Sequence, residues 1–134
     1  MKHLFRIKVY YEDTDCGGVV YYANYLRYFE RARTELLESR GVSLKKLMGD
    51  GVYFVVTEAS LQYTAPGRYG DVLSVETSLD RAGPASLLFG HRVLRETDGE
   101  QLVAGSVKIG CVGRDMKPVR LGHDIIRAVT EQGS

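Results

Sequence analysis

The chain has 134 residues, 44% of them hydrophobic, enough for one core and one domain spanning 1–134. Lysine and arginine number 18 against 17 aspartates and glutamates; the net charge of +1, with no basic cluster, excludes an electrostatic footprint for nucleic acid or an anionic membrane. Two cysteines, Cys16 and Cys111, are too few for a disulfide framework, no apolar run approaches a bilayer span, and Met1-Lys2-His3 leads straight into a strand pattern, so a cytoplasmic protein is expected.

In chain order, Phe5, Ile7, Val9 and Tyr11 alternate with Arg6, Lys8 and Tyr10, the mark of a strand with one wet face. An acidic, glycine-containing turn follows, Asp13 to Gly18. Beyond it Tyr22, Tyr25, Phe29, Ala32 and Leu36 recur at spacings of three and four, predicting one long amphipathic helix. Asn24 is read as its N-cap and Gly41 as the left-handed residue that ends it. Arg27 with Glu30 and Arg31 with Glu35 are placed to pair on its solvated side. A short helical turn after Ser43 stops at Gly49 and Gly51.

Strand pattern returns over 52–63 and is broken by Pro66, Gly67 and Gly70. Leu73, Val75, Thr77 and Leu79 write a third strand, Leu87, Phe89, His91 and Val93 a fourth, and Val103, Gly105, Val107, Ile109 and Cys111 a fifth. Gly83-Pro84 and Asp98-Gly99 are the turns between them, predicting an antiparallel meander. Ile125, Ile126 and Val129 mark a weak terminal helix that frays over 131–134. One helix covers one face of five alternating strands only if the sheet curls around it, so an α+β architecture with a sheet wrapped on a central helix is expected. Open sheet edges invite a second copy.

The chemistry concentrates at residues 10–41. Gly17-Gly18, following Asp13 and Asp15, let the chain turn sharply from strand to helix and leave the first helical N–H groups without intrahelical partners. A carboxylate beside free amides is what reaction at an acyl group needs: a base or nucleophile, and donors where negative charge develops. The same residues also make an ordinary turn closed by Asx hydrogen bonds, and spacing alone does not choose between the two.

Arg6-Ile7 with Asp13-Thr14-Asp15-Cys16-Gly17-Gly18-Val19-Val20-Tyr21-Tyr22-Ala23-Asn24-Tyr25 resembles the active-site signature of the 4-hydroxybenzoyl-CoA thioesterase family of hot-dog-fold proteins. Within it, VYYEDTDCGGVVYYANY, FERARTELL, YFVV and Tyr63-Thr64-Ala65-Pro66-Gly67-Arg68 with Asp71 are most similar to the Tol-Pal-associated acyl-CoA thioesterase group, a likeness extending over 5–118. The resemblance implies a hot-dog thioesterase domain that cleaves acyl-CoA to free acid and CoA without a cofactor. Asp15 falls on the family's catalytic carboxylate, which attacks the thioester or activates a water. Tyr22 falls where a backbone N–H polarises the thioester carbonyl. Gly18, Val19 and Tyr25, around the turn and helix start, are read as substrate-facing.

Asp13 is read as structural, holding the turn. Cys16 stands where the aroyl-CoA branch has proline, and with no histidine near it in sequence it is read as a bystander rather than a nucleophile. Glu58 either faces the pocket and orients a water or points to solvent as strand glutamates do. Arg81, Arg114 and Lys117 are candidates for the phosphates of CoA, although Gly83-Pro84 replaces the arginine pair that the aroyl-CoA branch offers. His3, His91 and His123 lack metal-ligand spacing, and no metal is expected.

The resemblance further implies a homodimer assembling to a homotetramer, with each active site at the dimer interface. Two alternatives remain at this stage. One is hydration of acyl thioesters, for which the resemblance requires a histidine near Asp15. The other is a binding partner of acyl carrier protein or the cell envelope, with hydrolysis incidental.

Overall fold

The computed structural model describes residues 2–130, so the fraying expected over 131–134 lies outside the described residues. In chain order the elements are β1 (His3–Lys8), a 3₁₀ turn (Tyr11–Asp13), α1 (Asn24–Ser39), α2 (Leu44–Gly49), β2 (Tyr53–Tyr63), β3 (Val72–Ala82), β4 (Ser86–Arg95), β5 (Gln101–Val112) and α3 (His123–Thr130). The strands form one antiparallel sheet in the order β1-β3-β4-β5-β2. The meander of β3, β4 and β5 is as the turn residues predict. The two remaining pairings join strands far apart in sequence, β1 to β3 and β2 to β5, and leave β1 and β2 as the edges.

The inward positions read from the alternation are the ones buried: Leu73, Val75 and Thr77 on β3, Leu87, Phe89, His91 and Val93 on β4, and Val103, Val107, Ile109 and Cys111 on β5. The helix α1 lies on this face. Its buried stripe is wider than predicted, adding Tyr28, Arg33 and Leu37 to Tyr25, Phe29, Ala32 and Leu36. Each large apolar side chain moved from water into this core contributes about 1.5–3 kcal/mol.

Three expectations for the segment joining β1 to α1 need correction. Tyr22 is 62% exposed, because the helix begins two residues after it. Asn24 is the first helical residue rather than the cap, and its side chain donates to Asp13 instead of accepting from a helix amide. Tyr11 has left the strand for the 3₁₀ turn and is exposed. The far end of α1 behaves as expected. Gly41 takes φ 79°, its N–H donates to the Glu38 carbonyl at 3.0 Å, and the Val42 N–H donates to the Leu37 carbonyl at 2.9 Å. That pair of bonds is a Schellman closure. The salt bridges expected on the solvated side of α1 do not form; the ion pairs among the described residues lie on the sheet and its loops.

At the centre, Phe29 stacks on the His91 ring with centroids 4.3 Å apart. Gly105 makes room for it: a Cβ there would sit 2.7 Å from the Ser60 carbonyl oxygen and 3.0 Å from Phe29 Cε2. The Arg33 guanidinium, which can only donate, lies 3.3 Å from His91 Nε2, leaving Nδ1 to carry the proton toward Thr77 Oγ1 at 3.1 Å. Burial, and secondarily the Arg33 charge, pull the His91 pKa down to about 3.

Two outcomes follow from this centre. Gly105→Ala destabilises the fold by about 1–3 kcal/mol in urea unfolding, because backbone and a packed ring must both shift. His91 binds its proton more weakly folded than unfolded, so between about pH 6.5 and about 3 the unfolded chain holds more protons. Thermal unfolding at stepped pH shows stability falling as pH drops through that window, and His91→Gln flattens the fall.

Candidate active site

The segment from β1 to α1 is held by one carboxylate. Asp13, 8% exposed, accepts the Tyr10 N–H on Oδ2 at 2.9 Å and the Asn24 Nδ2 on Oδ1 at 3.1 Å, and its carbonyl accepts the Tyr21 N–H at 2.9 Å. Strand end, returning chain and helix start therefore meet on one residue. The buried Tyr28 hydroxyl lies in the same neighbourhood, where burial first and the Asp13 carboxylate second push its pKa up.

Between these anchors the chain makes a small hairpin. Thr14 bridges Val20, the Asp15 N–H donates to the Val19 carbonyl at 2.9 Å, and the Gly18 N–H donates to the Asp15 carbonyl at 3.1 Å. Gly18 takes φ 76°, which excludes a side chain without strain; Gly17 does not. Asp15 Oδ1 accepts the Gly17 N–H at 2.8 Å, the Asx bond of the plain turn reading. Oδ2 has no partner among the described residues. The two readings of Asp15 are thus compatible: one oxygen fixes the rotamer and the other remains available. The carboxylate is exposed, as are Cys16 and Gly18, with Val19 half-buried beside them.

On the other side of the hairpin, the Asn24 N–H donates to the Tyr21 carbonyl at 2.8 Å and closes a four-residue turn into α1. Its two central residues are Tyr22 and Ala23, and neither backbone N–H has an acceptor among the described residues. These unengaged donors precede the helix, where its dipole also favours negative charge.

The loop 64–71 buttresses the hairpin from below. The Val20 N–H donates to the Gly67 carbonyl at 2.8 Å, the Tyr69 N–H to the Gly18 carbonyl at 3.0 Å, and the Gly67 N–H to the Tyr25 hydroxyl at 3.1 Å. Arg95 ties the loop to the sheet, donating to the Pro66 carbonyl at 2.8 Å and pairing with Asp71, Asp98 and Glu100. Arg95 was missed in the sequence, where its only signal was an acidic cluster in turns flanking a strand-terminal arginine, and Gly67 was read only as a strand breaker and as part of the family resemblance.

The remaining candidates are placed unevenly. Tyr25 is 2% exposed and its hydroxyl is spent on Gly67, so it is a core residue behind the turn rather than a substrate-facing one within this chain. Tyr63, at the end of β2, donates its hydroxyl to the Tyr22 carbonyl at 3.0 Å and brings that edge strand to the turn. Glu58 is exposed at the β2 bulge, midway along the edge.

Arg81 lies at the opposite end of β3 from the loop beside Asp15, about 30 Å away at the rise of an extended strand. Arg114, whose guanidinium donates to the Gly49 carbonyl at 3.3 Å, and Lys117 lie at that far end too. One chain does not bring these three cations to Asp15. His91 is buried in the core, and burial pushes the Cys111 thiol up to about 11, so it stays protonated at neutral pH.

The pattern of the thioesterase-like superfamily matches residues 9–129. A curated relative, the acyl-CoA thioester hydrolase YbgC of Escherichia coli O6:H1, is 40% identical over 126 residues, covering 92% of this chain and 93% of the relative. A hypothetical protein from Thermus thermophilus superposes with TM-score 0.87 at 37% identity, over 95% of this chain and 96% of that one. A substituted 4-hydroxybenzoyl-CoA thioesterase crystallised with 4-hydroxybenzoyl-CoA superposes with TM-score 0.87 over 96% of this chain and 99% of that one. At 18% identity it shares the fold.

The Asp13 bridge predicts that Asp13→Ala, which strands the buried Asn24 amide, lowers unfolding free energy by about 1–3 kcal/mol in a denaturant titration. Asp13→Asn, able to accept but also forced to donate, should lose less.

Proposed function

The chain belongs to the thioesterase-like superfamily and is an acyl-CoA thioester hydrolase, and from that premise we propose that Asp15 and the Tyr22 backbone N–H form its reaction centre. What supports this is the joint availability of Asp15 Oδ2 and the Tyr22 and Ala23 amides on one rigidly anchored hairpin. The thioester carbonyl accepts from the Tyr22 N–H, so that charge developing on oxygen meets a donor already in place. Asp15 either attacks the carbonyl carbon or takes a proton from the water that does. In the first case loss of the CoA thiolate gives a mixed anhydride, which water then cleaves to the free acid and the restored carboxylate. The C–S bond breaks, and CoA leaves as the thiol once protonated, with water supplying the new acid's hydroxyl. Gly18 and Val19 line the approach, and Tyr25 supports the wall from behind through Gly67.

We infer that the working unit is a homodimer. The β2 edge is eleven residues long and carries exposed Val56, Thr57, Glu58, Ala59 and Ser60. An unpaired edge of this length is a template for another strand. Antiparallel pairing of β2 with its copy sets the partner's start of β2 beside Tyr63 and Tyr22, and with it the partner's Arg114 and Lys117. The far-end cations are then available for the CoA phosphates, with Arg81 the most distant, and Glu58 lies near the two-fold axis. Dimers pair further to a homotetramer working in the cytoplasm on CoA thioesters, with acyl carrier protein as the alternative thiol carrier. The whole of 1–134 acts as one thioesterase domain.

Hydrolysis of short, medium, long and aromatic acyl-CoAs, and of one acyl carrier protein thioester, followed by thiol release, tests the reading. Asp15→Asn keeps its Asx bond and fold yet loses on the order of 10²–10⁴-fold in kcat; wild-type turnover by this variant would remove Asp15 from the mechanism. Cys16→Ala retains full activity, and its inactivation would point to a thiol nucleophile instead. Sedimentation of the wild type as a monomer at assay concentration, with activity intact, would sink the interface reading.

A further inference from the structure

Tyr63, the last residue of β2, donates its hydroxyl to the Tyr22 carbonyl at 3.0 Å. That carbonyl lacks the partner a helix would give it. The Leu26 N–H donates instead to the Ala23 carbonyl at 3.2 Å, and Tyr63 is the donor that reaches Tyr22 among the described residues. The Tyr63 ring is held on two sides, edge-on to Tyr22 with centroids 6.3 Å apart and tilted against Tyr25 at 5.8 Å, while its residue pairs with Val103 on β5. Burial first and Tyr22 second push the Tyr63 pKa above its ordinary value, so at neutral pH the hydroxyl keeps the proton it donates.

The bonded carbonyl belongs to the same peptide unit as the Ala23 N–H. That unit is planar and trans, so a donor fixed on its oxygen fixes the direction in which its N–H points. The bond also polarises the unit, because hydrogen bonds in a chain strengthen one another. This is the central peptide of the turn from Tyr21 to Asn24, the unit whose rotation separates a type I from a type II turn. Ala23, at φ −72° and ψ −16°, has the type I conformation. Holding the Tyr22 oxygen therefore holds the Ala23 N–H, which has no acceptor among the described residues.

We propose that Tyr63 is a positioning residue for the oxyanion: its hydroxyl orients and polarises the Tyr22–Ala23 peptide, so that the Ala23 N–H is a second donor to the thioester oxygen beside the Tyr22 N–H. This role rests on the reaction centre of Asp15 and Tyr22. Tyr63 itself touches no reacting atom. Its effect grows as negative charge gathers on the oxygen, so it acts on turnover and leaves ground-state binding alone. One hydroxyl thereby couples the edge strand β2 to the chemistry.

Tyr63→Phe keeps both ring contacts and the pairing with β5 and removes only the hydroxyl. Acetyl-, octanoyl- and benzoyl-CoA are assayed by thiol release, and the one that the wild type turns over fastest is carried forward. The expected result is kcat lower by on the order of tenfold with KM within about twofold of wild type. The same acyl-CoA, isotopically labelled at the thioester carbonyl, is then bound to Asp15→Asn with and without Tyr63→Phe. The carbonyl stretch moves to higher frequency without the hydroxyl, because one donor to the oxygen has weakened. An unchanged kcat overturns the proposal, as does a carbonyl stretch that does not move. A raised KM at unchanged kcat also overturns it and leaves Tyr63 a structural tether. Wild-type turnover by Asp15→Asn removes the reaction centre and the role of Tyr63 with it; loss of turnover in Asp15→Asn beside wild-type kcat in Tyr63→Phe removes only the role of Tyr63.

Discussion

The structure depends on the buried carboxylate of Asp13. It takes hydrogen bonds from the end of β1 through the Tyr10 N–H and from the first residue of α1 through the Asn24 side chain, while its own carbonyl holds Tyr21. Without that bridge the residues between would be a surface loop with the freedom loops have. With it, Asp15 and Tyr22 are two positions on one rigid hairpin whose ends cannot separate. Loop 64–71 and Arg95 reinforce the arrangement from the sheet side. The proposed reaction centre thus sits on a surface feature made stiff by buried polar contacts, each worth roughly 1 kcal/mol net and more to lose once buried.

That stiffness also bears on how an exposed carboxylate could serve in the proposed role. Asp15 is not desolvated by its own chain. Its first oxygen is tied to Gly17 and the second has no partner among the described residues, while the entry turn of α1 leaves the Tyr22 and Ala23 amides unpaired. On the proposed reading, the surface so formed is the floor of the reaction centre. Electrostatic stabilisation of an oxyanion is strongest where water is excluded, so the floor calls for a roof, and the open edge of β2 that reaches Tyr22 through Tyr63 is the nearest place to attach one.

Legibility in the sequence followed the range of the interaction. Elements set by local period, α1 and the three meander strands, were readable because Phe29, Ala32 and Leu36, or Leu87, Phe89 and His91, announce their faces every few residues. The Gly41 stop was readable for the same reason. Tyr22 was misplaced because an aromatic at helical spacing looks identical whether it lies in the first helical turn or in the turn before it. Asn24 was misread because its side chain bonds to Asp13, eleven positions back, rather than to the adjacent amides. Sheet order was not readable, since β1 with β3 and β2 with β5 are pairings that no periodicity records. Nor was Arg33, which in sequence is one more charge on a charged helix.

The central claim is that the thioester carbonyl docks on the Tyr22 amide with Asp15 at its carbon. The most direct measurement is a crystal structure of the Asp15→Asn protein with an intact acyl-CoA. The account predicts the thioester oxygen at about 3 Å from the Tyr22 backbone nitrogen, with residue 15 facing the carbonyl carbon. An acyl-CoA bound with its thioester remote from the 13–22 hairpin would contradict it.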